Sequence, residues 1–325
     1  MPVLSPPDKS ARQANVERTA ALALALATVF WGCGFTWAKM GGSAVYRAAG
    51  MSENAAFGPI FLLAWRFTLG AIVWLALFPA ARRGWTWRGV GRCSGVGILV
   101  GGALIVQHLG LDRTPEAVSA FLTSLTILFV PLLVTLITGK PPRGVLWLGV
   151  ILATLGVWLM TGATPAGFGL GEILGLLCAL GFSLYILSVN AAVAVESPWR
   201  VTAGQFVIVA IMCFAACAFL PRGVASLRPA AMFHILRQRE VWPNLLLLAV
   251  FPTLGAFGLL THFQPRLDPT RAALIYLLEP LIAAAYAAVA VHHLLGKRAI
   301  AGAALILVAN VLVEWICSRP KESAR

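Results

Sequence analysis

Long apolar runs, separated by short clusters of charged residues, fill most of this sequence and limit what it can fold into. Each run is about 20 residues long, the length that a helix needs to cross a bilayer. Lipid offers the backbone no hydrogen bonds, so a crossing segment must be a helix or part of a closed barrel, and no run shows the alternation of a barrel strand. The sequence therefore predicts an all-α membrane protein with ten transmembrane helices, at residues 19–40, 57–79, 93–110, 116–138, 144–161, 171–195, 201–220, 242–263, 270–291 and 299–317.

The composition excludes several other classes of protein. Of the 325 residues, 59% are hydrophobic and only 11% are charged, whereas a soluble domain carries about 25% charged residues. A soluble enzyme, a disordered chain and a fibrous repeat are therefore excluded. The net charge of +13 is typical of positive residues that flank membrane spans, so we expect no nucleic-acid partner. The six cysteines include no CxxC pair, and we expect no metal site and no cofactor.

The basic residues are divided unequally between the two sides of this topology. With the N-terminus inside, the inner segments hold 15 Lys and Arg residues and the outer segments hold 8, while Lys39 and Arg66 lie within spans. Positive residues favour the cytoplasmic side, so the bias predicts a protein of the cell (inner) membrane with both termini in the cytoplasm. The connection 221–241 is an exception, because it carries four Arg on the outer side. We interpret it as a helix lying along the membrane surface.

The chain contains a second copy of its own pattern. His108 is followed seven residues later by Pro115, and His262 is followed seven residues later by Pro269. In both copies a hinge, a further apolar run, a Gly-Lys pair and one last span follow. Because five spans is an odd number, the second copy enters the membrane upside down, and inverted repeats are typical of secondary transporters. The predicted parts are a tail, a first five-helix repeat, a linker, a second five-helix repeat and a tail, at residues 1–18, 19–162, 163–170, 171–317 and 318–325.

Several short motifs, in the order in which they occur, resemble a known family. The first span reads FWGCGFTWAK at residues 30–39, the second contains Arg66 within AWRF, and the ninth contains LLEP at residues 277–280. With the hairpin of the third and fourth spans, these motifs are similar to those of the EamA-type ten-helix branch of the drug/metabolite transporter superfamily, over residues 19–315. The resemblance implies a bundle of ten helices, a central cavity between the two repeats, and export or exchange of small metabolites by alternating access.

Two charged residues lie deep within predicted spans, where an ionisable group costs at least about 2.5 kcal/mol on insertion scales. Arg66 is nine residues into the second span, and its guanidinium group suits a carboxylate or another anion; a structural pair with a buried acid is the alternative. Glu279 is nine residues into the ninth span, beside Pro280, which frees a backbone carbonyl one turn earlier. We interpret Glu279 as a proton- or cation-coupling site, with a neutral buried glutamate or a partner of Arg66 as the alternative.

Other side chains within the spans are candidates for the wall of a substrate cavity. Small-ligand cavities combine apolar walls with a few polar groups, although ordinary packing between helices explains any single aromatic ring equally well. The two histidines occupy matching places in the two copies, and each either lines the cavity or is simply satisfied near a helix end. We expect the cavity to be built by spans one to four and by spans six, eight and nine. The predicted cavity residues are Trp31, Phe35, Arg66, Gln107, His108, Tyr185, His262 and Tyr276, with Glu279 as the coupling residue.

The predicted function is secondary active transport, as an exporter or exchanger of small metabolites such as amino acids or related compounds. An intramembrane enzyme and a passive channel or scaffold are the alternatives. The sequence contains no HExxH, GxSxG or Walker A motif, so we predict no enzymatic activity. The buried Arg66 and Glu279 favour a coupled site over a passive pore. The expected partners are a small-molecule substrate and the lipid bilayer, and a homodimer is left open.

Overall fold

The computed structural model describes residues 9–53, 55–139, 148–149, 151–152, 155–156, 158–159, 169–267, 272, 275–276, 278–292 and 294–317. Within these ranges all regular elements are helices, as the sequence predicts. Single helical turns occur at Pro79–Arg82 and Gly223–Ser226. The longer α-helices are α1 Lys9–Ala49, α2 Phe57–Leu77, α3 Trp87–Leu111, α4 Glu116–Ser124, α5 Thr126–Thr138, α6 Leu170–Val193, α7 Pro198–Phe219, α8 Pro229–Leu236, α9 Trp242–Leu248, α10 Gly258–Phe263, α11 Leu278–Ala290 and α12 Lys297–Cys317.

Seven helical stretches among the described residues are long and apolar enough to cross a membrane. They are Asn15–Ala49, Phe57–Leu77, Trp87–Leu111, Glu116–Ile137, Leu170–Val193, Pro198–Phe219 and Trp242–Arg266. The shorter apolar helix α11 covers the second part of the predicted ninth span, and α12 coincides with the predicted tenth. The predicted fifth span and the start of the ninth lie partly outside the described residues, so the count of ten helices stays a prediction.

Helix α1 extends beyond its predicted end because the charged residue there is accommodated within the helix. The amino group of Lys39 donates a hydrogen bond to the carbonyl oxygen of Thr114, between α3 and α4. Gly41 then allows α2 to approach closely, since a β-carbon at this position would lie 2.7 Å from the side chain of Leu62. The helix stops just before Gly50, whose φ of +61° is the left-handed conformation that glycine adopts readily at the end of a helix.

The predicted eighth span is a helix in three parts, in which a π-helix at Ala249–Phe257 separates α9 from α10. Pro252 lies within the π-helix, and because proline has no N–H group it leaves the carbonyl of Leu248 without its usual donor. The hydroxyl of Thr253 donates to this carbonyl at 2.9 Å. The indole N–H of Trp31 donates to the carbonyl of Pro252 at 3.2 Å. Irregular backbone at membrane depth is tolerated here because other helices cover it.

The two halves of the chain are interleaved, and each packs largely against the other. Helix α1 contacts the stretch from α9 to α10 and helix α11, while α6 makes the corresponding contacts with α3 and with α4 and α5. Helices α2 and α7 pack directly on one another. The core that both halves share is rich in aromatic side chains, among them Phe61, Phe67, Tyr185, Phe206 and Phe257.

Candidate substrate-binding cavity

A cavity of about 120 Å³ lies between the two halves. The first half lines it with residues of α1 to α5, and the second half lines it with α6, the stretch 252–264, residues 272 and 276, and α11. These are the spans from which the sequence predicts the cavity to be built. Arg66 is the tenth of the 21 residues of α2, so the cavity lies near the middle of that span.

The structure brings eight of the nine predicted site residues to this cavity. They are Trp31, Phe35, Arg66, Gln107, His108, Tyr185, Tyr276 and Glu279. The ninth, His262, is not among the lining residues and lies elsewhere: its ring centroid is 4.2 Å from that of Trp199 and 6.1 Å from that of Trp74. The sequence pairs the two histidines, whereas the tertiary structure gives them different surroundings.

The Arg66 side chain is held in place from the opposite half of the protein. The residue is 4% exposed, and its Nε donates to the hydroxyl of Thr253, on the π-helix, at 2.9 Å. Its guanidinium carbon lies 5.1 Å from the ring centroid of Phe67. Among the described residues Arg66 forms no ion pair. A guanidinium group whose Nε is fixed presents its terminal nitrogens in one orientation, which is what bidentate binding of a carboxylate requires.

Glu279 is half-buried near the start of α11, beside Pro280. Helix α1 approaches α11 closely here, since a β-carbon on Gly32 would lie 3.0 Å from the carbonyl oxygen of Glu279. Within the described part of the chain, the Glu279 carboxylate forms no ion pair either. Arg66 and Glu279 therefore line one cavity without direct contact between their charges. The alternative interpretation of the sequence, an ion pair between Arg66 and Glu279, does not occur in this structure.

Two polar networks at the cavity contain residues that the sequence analysis did not single out. In the first, Gln107 Nε2 donates to the hydroxyl of Thr123 at 3.2 Å and joins α3 to α4. In the second, the Tyr276 hydroxyl donates to Gln264 Oε1 at 2.8 Å, and Gln264 Nε2 donates to Asn190 Oδ1 at 2.9 Å. Thr123 and Gln264 both line the cavity. The sequence could not single out these two residues, because isolated polar side chains are common in apolar runs.

The two matched histidines share one local geometry. His108 Nδ1 lies 2.9 Å from the carbonyl oxygen of Leu104, and His262 Nδ1 lies 2.9 Å from that of Gly258. A carbonyl oxygen only accepts, so Nδ1 carries a proton and Nε2 of the neutral ring is left as an acceptor. In both residues Nε2 is buried and has no hydrogen-bond partner among the described residues. His108 therefore brings an unsatisfied acceptor to the wall of the cavity.

The cavity wall repeats along the chain at nearly constant spacing. Lining residues of α1 and α6 are offset by 151 positions, in the pairs Trp31 and Phe182, Gly34 and Tyr185, and Phe35 and Ile186. A second set is offset by 149 positions, in the pairs Thr123 and Ala272, Ile127 and Tyr276, and Val130 and Glu279. Positions at these constant offsets in the two halves therefore line a single cavity.

Two carboxyl groups beyond the ends of the spans tie neighbouring elements together. Asp112 accepts a hydrogen bond from the Tyr46 hydroxyl at 2.7 Å; burial raises the pKa of Asp112 above its ordinary value, and the bond from Tyr46 opposes this shift. Glu196 lies 2.9 Å from Arg200 and 3.1 Å from Arg92. Hydrogen bonds from Arg200 and then Arg92 hold the pKa of Glu196 below its ordinary value. The Glu196 site joins α3 to the connection between α6 and α7.

Comparisons with known proteins point to one family. Residues 18–162 and residues 169–315 each match the model of the EamA-like transporter family. A protein of Archaeoglobus fulgidus described as an uncharacterized transporter is 26% identical over 294 residues, which cover 90% of this chain and 84% of that protein. A protein of known crystal structure shares 20% identity, with coverage of 92% of this chain and 97% of that chain and a TM-score of 0.60. The last likeness shows the fold alone.

Apolar helices long enough to cross a membrane, packed around a cavity with a buried cation and a carboxyl group, are typical of a multi-pass membrane transporter. The family model covers most of the sequence in two successive matches. The chain therefore belongs to the EamA-like transporter family. The resemblance found in the sequence motifs is confirmed, and both the family and the archaeal relative are described as transporters.

Proposed function

We propose that the protein is a secondary active transporter that carries a small metabolite with an anionic group, such as an amino acid or a related compound, by alternating access. The observation that carries this proposal is the placement of Arg66 and Glu279 on one cavity, without an ion pair between them. An ionisable group at membrane depth costs about 2.5–3.5 kcal/mol on insertion scales. A site of this kind suits a substrate whose negative charge pairs with Arg66 and a coupling cation, such as a proton, that binds Glu279.

In this proposal Arg66 binds the anionic group of the substrate. Its Nε is already engaged by Thr253, so the terminal nitrogens are oriented before the ligand arrives. Gln107 and His108 line the same cavity and supply hydrogen-bonding groups beside the guanidinium group. The remainder of the wall is largely apolar and suits an apolar body. A volume of about 120 Å³ restricts that body to the size of a small metabolite.

Glu279 is the proposed coupling residue. A carboxyl group that lines a largely apolar cavity gains or loses a proton when its surroundings change, because nearby positive charge favours the ionised form and removal of water opposes it. Arrival of a substrate and reorientation of the helices both change these surroundings. Proton movement through Glu279 would then be tied to substrate movement, which is what secondary active transport requires.

The packing of the two halves supports alternating access through inverted repeats. The contacts of α1 with the second half have counterparts in the contacts of α6 with the first half. The lining pairs at offsets of 151 and 149 positions extend this correspondence to the cavity wall. In transporters with inverted repeats, rocking of one repeat against the other opens a central site to each side of the membrane in turn.

The proposed location is the inner membrane, with both termini in the cytoplasm, from the distribution of Lys and Arg between the two sides. A reporter enzyme that is active only outside the cytoplasm should be inactive when fused at residue 325 and active when inserted within the connection 221–241. An active fusion at residue 325 would show that the orientation is the opposite of the one proposed, and it would leave the assignment of the cavity unchanged.

Transport assays in proteoliposomes test the proposed function directly. Purified protein is reconstituted, a pH gradient is imposed, and uptake is measured for a panel of labelled amino acids and related carboxylates. We expect at least one compound to accumulate against its gradient. The variant Glu279→Gln should lose this accumulation completely while it still exchanges labelled for unlabelled substrate, because a neutral amide cannot carry the proton.

The matched control is Glu172→Gln, which neutralises a carboxylate at the start of α6, where it accepts a hydrogen bond from the Gly169 N–H at 3.0 Å. Its amide oxygen retains that acceptor, so we expect transport close to wild type. Folded Glu279→Gln protein that still accumulates substrate would contradict the coupling role. Turnover of a compound without vectorial movement would contradict transport itself.

A further inference from the structure

The connection between α7 and α9 is strongly basic. Residues 219–242, termed the basic segment, contain one acidic residue, Glu240, which pairs with Arg47 of α1. Among the described residues, no carboxylate lies within 4.0 Å of a guanidinium group that belongs to the segment itself. These unneutralised residues are Arg222, Arg228, Arg237 and Arg239.

The basic segment is fixed against the protein. Gly223 packs so closely on the last turn of α7 that a β-carbon there would lie 1.8 Å from the carbonyl oxygen of Cys217, and the chain therefore folds back at this point. Arg222, with a φ of 58°, donates to the carbonyl oxygen of Gly50 at 3.2 Å. Ile235 of α8 is 2% exposed within the core. The other three arginines consequently extend from a backbone that is tethered at several points.

The exposed face of the basic segment is apolar as well as basic. Phe219 is 90% exposed, Phe233 66% and Trp242 48%. The guanidinium carbon of Arg237 lies 5.9 Å from the ring centroid of Phe233, so a cation and an aromatic ring lie together at the C-terminal end of α8. Both ends of the segment join helices of membrane-spanning length, which places it near the level where a span leaves the bilayer. Aromatic and basic side chains together are typical of that interface.

We propose that this surface binds the headgroups of anionic phospholipids, such as phosphatidylglycerol. Arg228, Arg237 and Arg239 would contact the phosphates, because guanidinium groups form strong charge-assisted hydrogen bonds to phosphate oxygens. Phe233 and Trp242 would lie at the boundary with the acyl chains. A zwitterionic lipid carries its own cation beside the phosphate, so the unneutralised arginines favour an anionic lipid. The proposal is independent of the transported substrate.

Fluorescence quenching at the segment itself tests this proposal. A fluorophore is attached to Ala230→Cys on the exposed face of α8, in full-length protein in which Cys33 and Cys317 are replaced by Ala. The protein is reconstituted in phosphatidylcholine vesicles that contain equal fractions of either nitroxide-labelled phosphatidylglycerol or nitroxide-labelled phosphatidylcholine. We expect the anionic lipid to be enriched beside the fluorophore by about threefold or more. High salt should reduce the enrichment, because the Debye length falls to about 3 Å at 1 M.

The triple variant Arg228→Gln, Arg237→Gln, Arg239→Gln should reduce the ratio of the two quenching signals to near one while leaving substrate binding unchanged. The matched control removes three exposed arginines, two between α2 and α3 and one in the first turn of α3, as Arg82→Gln, Arg83→Gln, Arg88→Gln, and should leave the ratio at position 230 unchanged. Equal quenching by both lipids in the wild type would overturn the proposal, as would an equal loss in both triple variants. Absence of quenching by either lipid would overturn it too, because the segment would then stand away from the membrane.

Discussion

The two halves of the chain place similar sequences in corresponding positions but give them different charges. Helix α2 contains AWRF around Arg66, and α7 contains AGQF around Gln205. Arg66 lines the cavity and hydrogen-bonds to Thr253 of the other half. Gln205 is fully buried and hydrogen-bonds to Tyr185 and Thr261 of its own half. Among the described residues that line the cavity, the cation is thus contributed by the first half alone.

The acid is contributed by the other half. Glu279 precedes Pro280 in α11, and at the corresponding position Val130 precedes Pro131 in α5. Both Val130 and Glu279 line the cavity. Packing between helices depends on size and on an apolar face, which a repeat retains, whereas a single charged side chain decides what a cavity can bind. The comparison shows how the halves can share a fold and still divide the chemistry of the site between them.

The strongest test of this comparison makes the two halves alike. Arg66→Gln gives α2 the same polar residue as α7, and it should weaken binding of the anionic substrate by about 100-fold, because hydrogen bonds to charged groups contribute about 1.5–3 kcal/mol each. Arg66→Lys should recover only part of the loss, since an ammonium group lacks the planar fork. Equilibrium binding in detergent measures both effects.

The matched variant is Gln205→Ala, which alters the buried counterpart; Gln205 does not itself line the cavity and is linked to its wall through the hydrogen bond from Tyr185. It should lower the unfolding temperature and leave affinity in the folded protein close to wild type. An equal loss of affinity in folded Arg66→Gln and Gln205→Ala would contradict the assignment of Arg66, and not Gln205, to the cavity wall.

The next effect concerns the residue that orients the cation. Thr253→Ala removes the hydrogen bond to Arg66 Nε and the donor to the carbonyl of Leu248, and it should weaken substrate binding by about 3–10-fold, the scale of about 0.5–1.5 kcal/mol for one hydrogen bond. Thr261→Ala removes the corresponding partner of Gln205 and should leave affinity nearly unchanged. Unchanged affinity in Thr253→Ala would show that Arg66 needs no support from the π-helix.

The two histidines allow a further comparison of the two halves, with a smaller expected effect on affinity. His108→Ala removes the unsatisfied acceptor at the cavity and should weaken binding by a few-fold. His262→Ala removes a ring that packs on Trp199, so it should reduce stability rather than affinity. Binding isotherms and thermal unfolding of both variants separate the two outcomes, and a larger loss of affinity in His262→Ala would reverse the assignment.

The smallest expected effect concerns Glu196, whose partners come from both halves. Its pKa is held below the ordinary value by Arg200 and Arg92, so its contribution to stability is present above the pKa of the unfolded chain and is lost as the pH falls through the lower folded value. Glu196→Gln should therefore lower the unfolding temperature by a few degrees near neutral pH. The difference from wild type should shrink as the pH falls through the lowered folded pKa of Glu196, and a difference that stayed constant into strong acid would exclude this charge as its cause.

Sequence reasoning located most of the helices because the bilayer responds to local properties of the chain. A run of about 20 apolar residues is enough to predict a crossing helix, and the motifs around Arg66 and Glu279 were enough to suggest the family. The same reasoning ended the first span too early, at residue 40 just after Lys39, because it could not foresee a carbonyl acceptor on Thr114. It also could not foresee that Pro252 would convert part of the eighth span into a π-helix.

By itself, then, the sequence determined that this protein lies in a lipid bilayer, that it is helical and which family it belongs to, since each of these depends on residues close together in the chain. The tertiary structure alone decided which side chains meet. Arg66 and Thr253 are 187 positions apart, and no local pattern relates them. Likewise, His108 and His262 share one local geometry, but only the packing of distant helices places the first on the cavity and the second against two tryptophan rings. A site between two interleaved halves depends on contacts across the chain, and apolar periodicity carries no information about them.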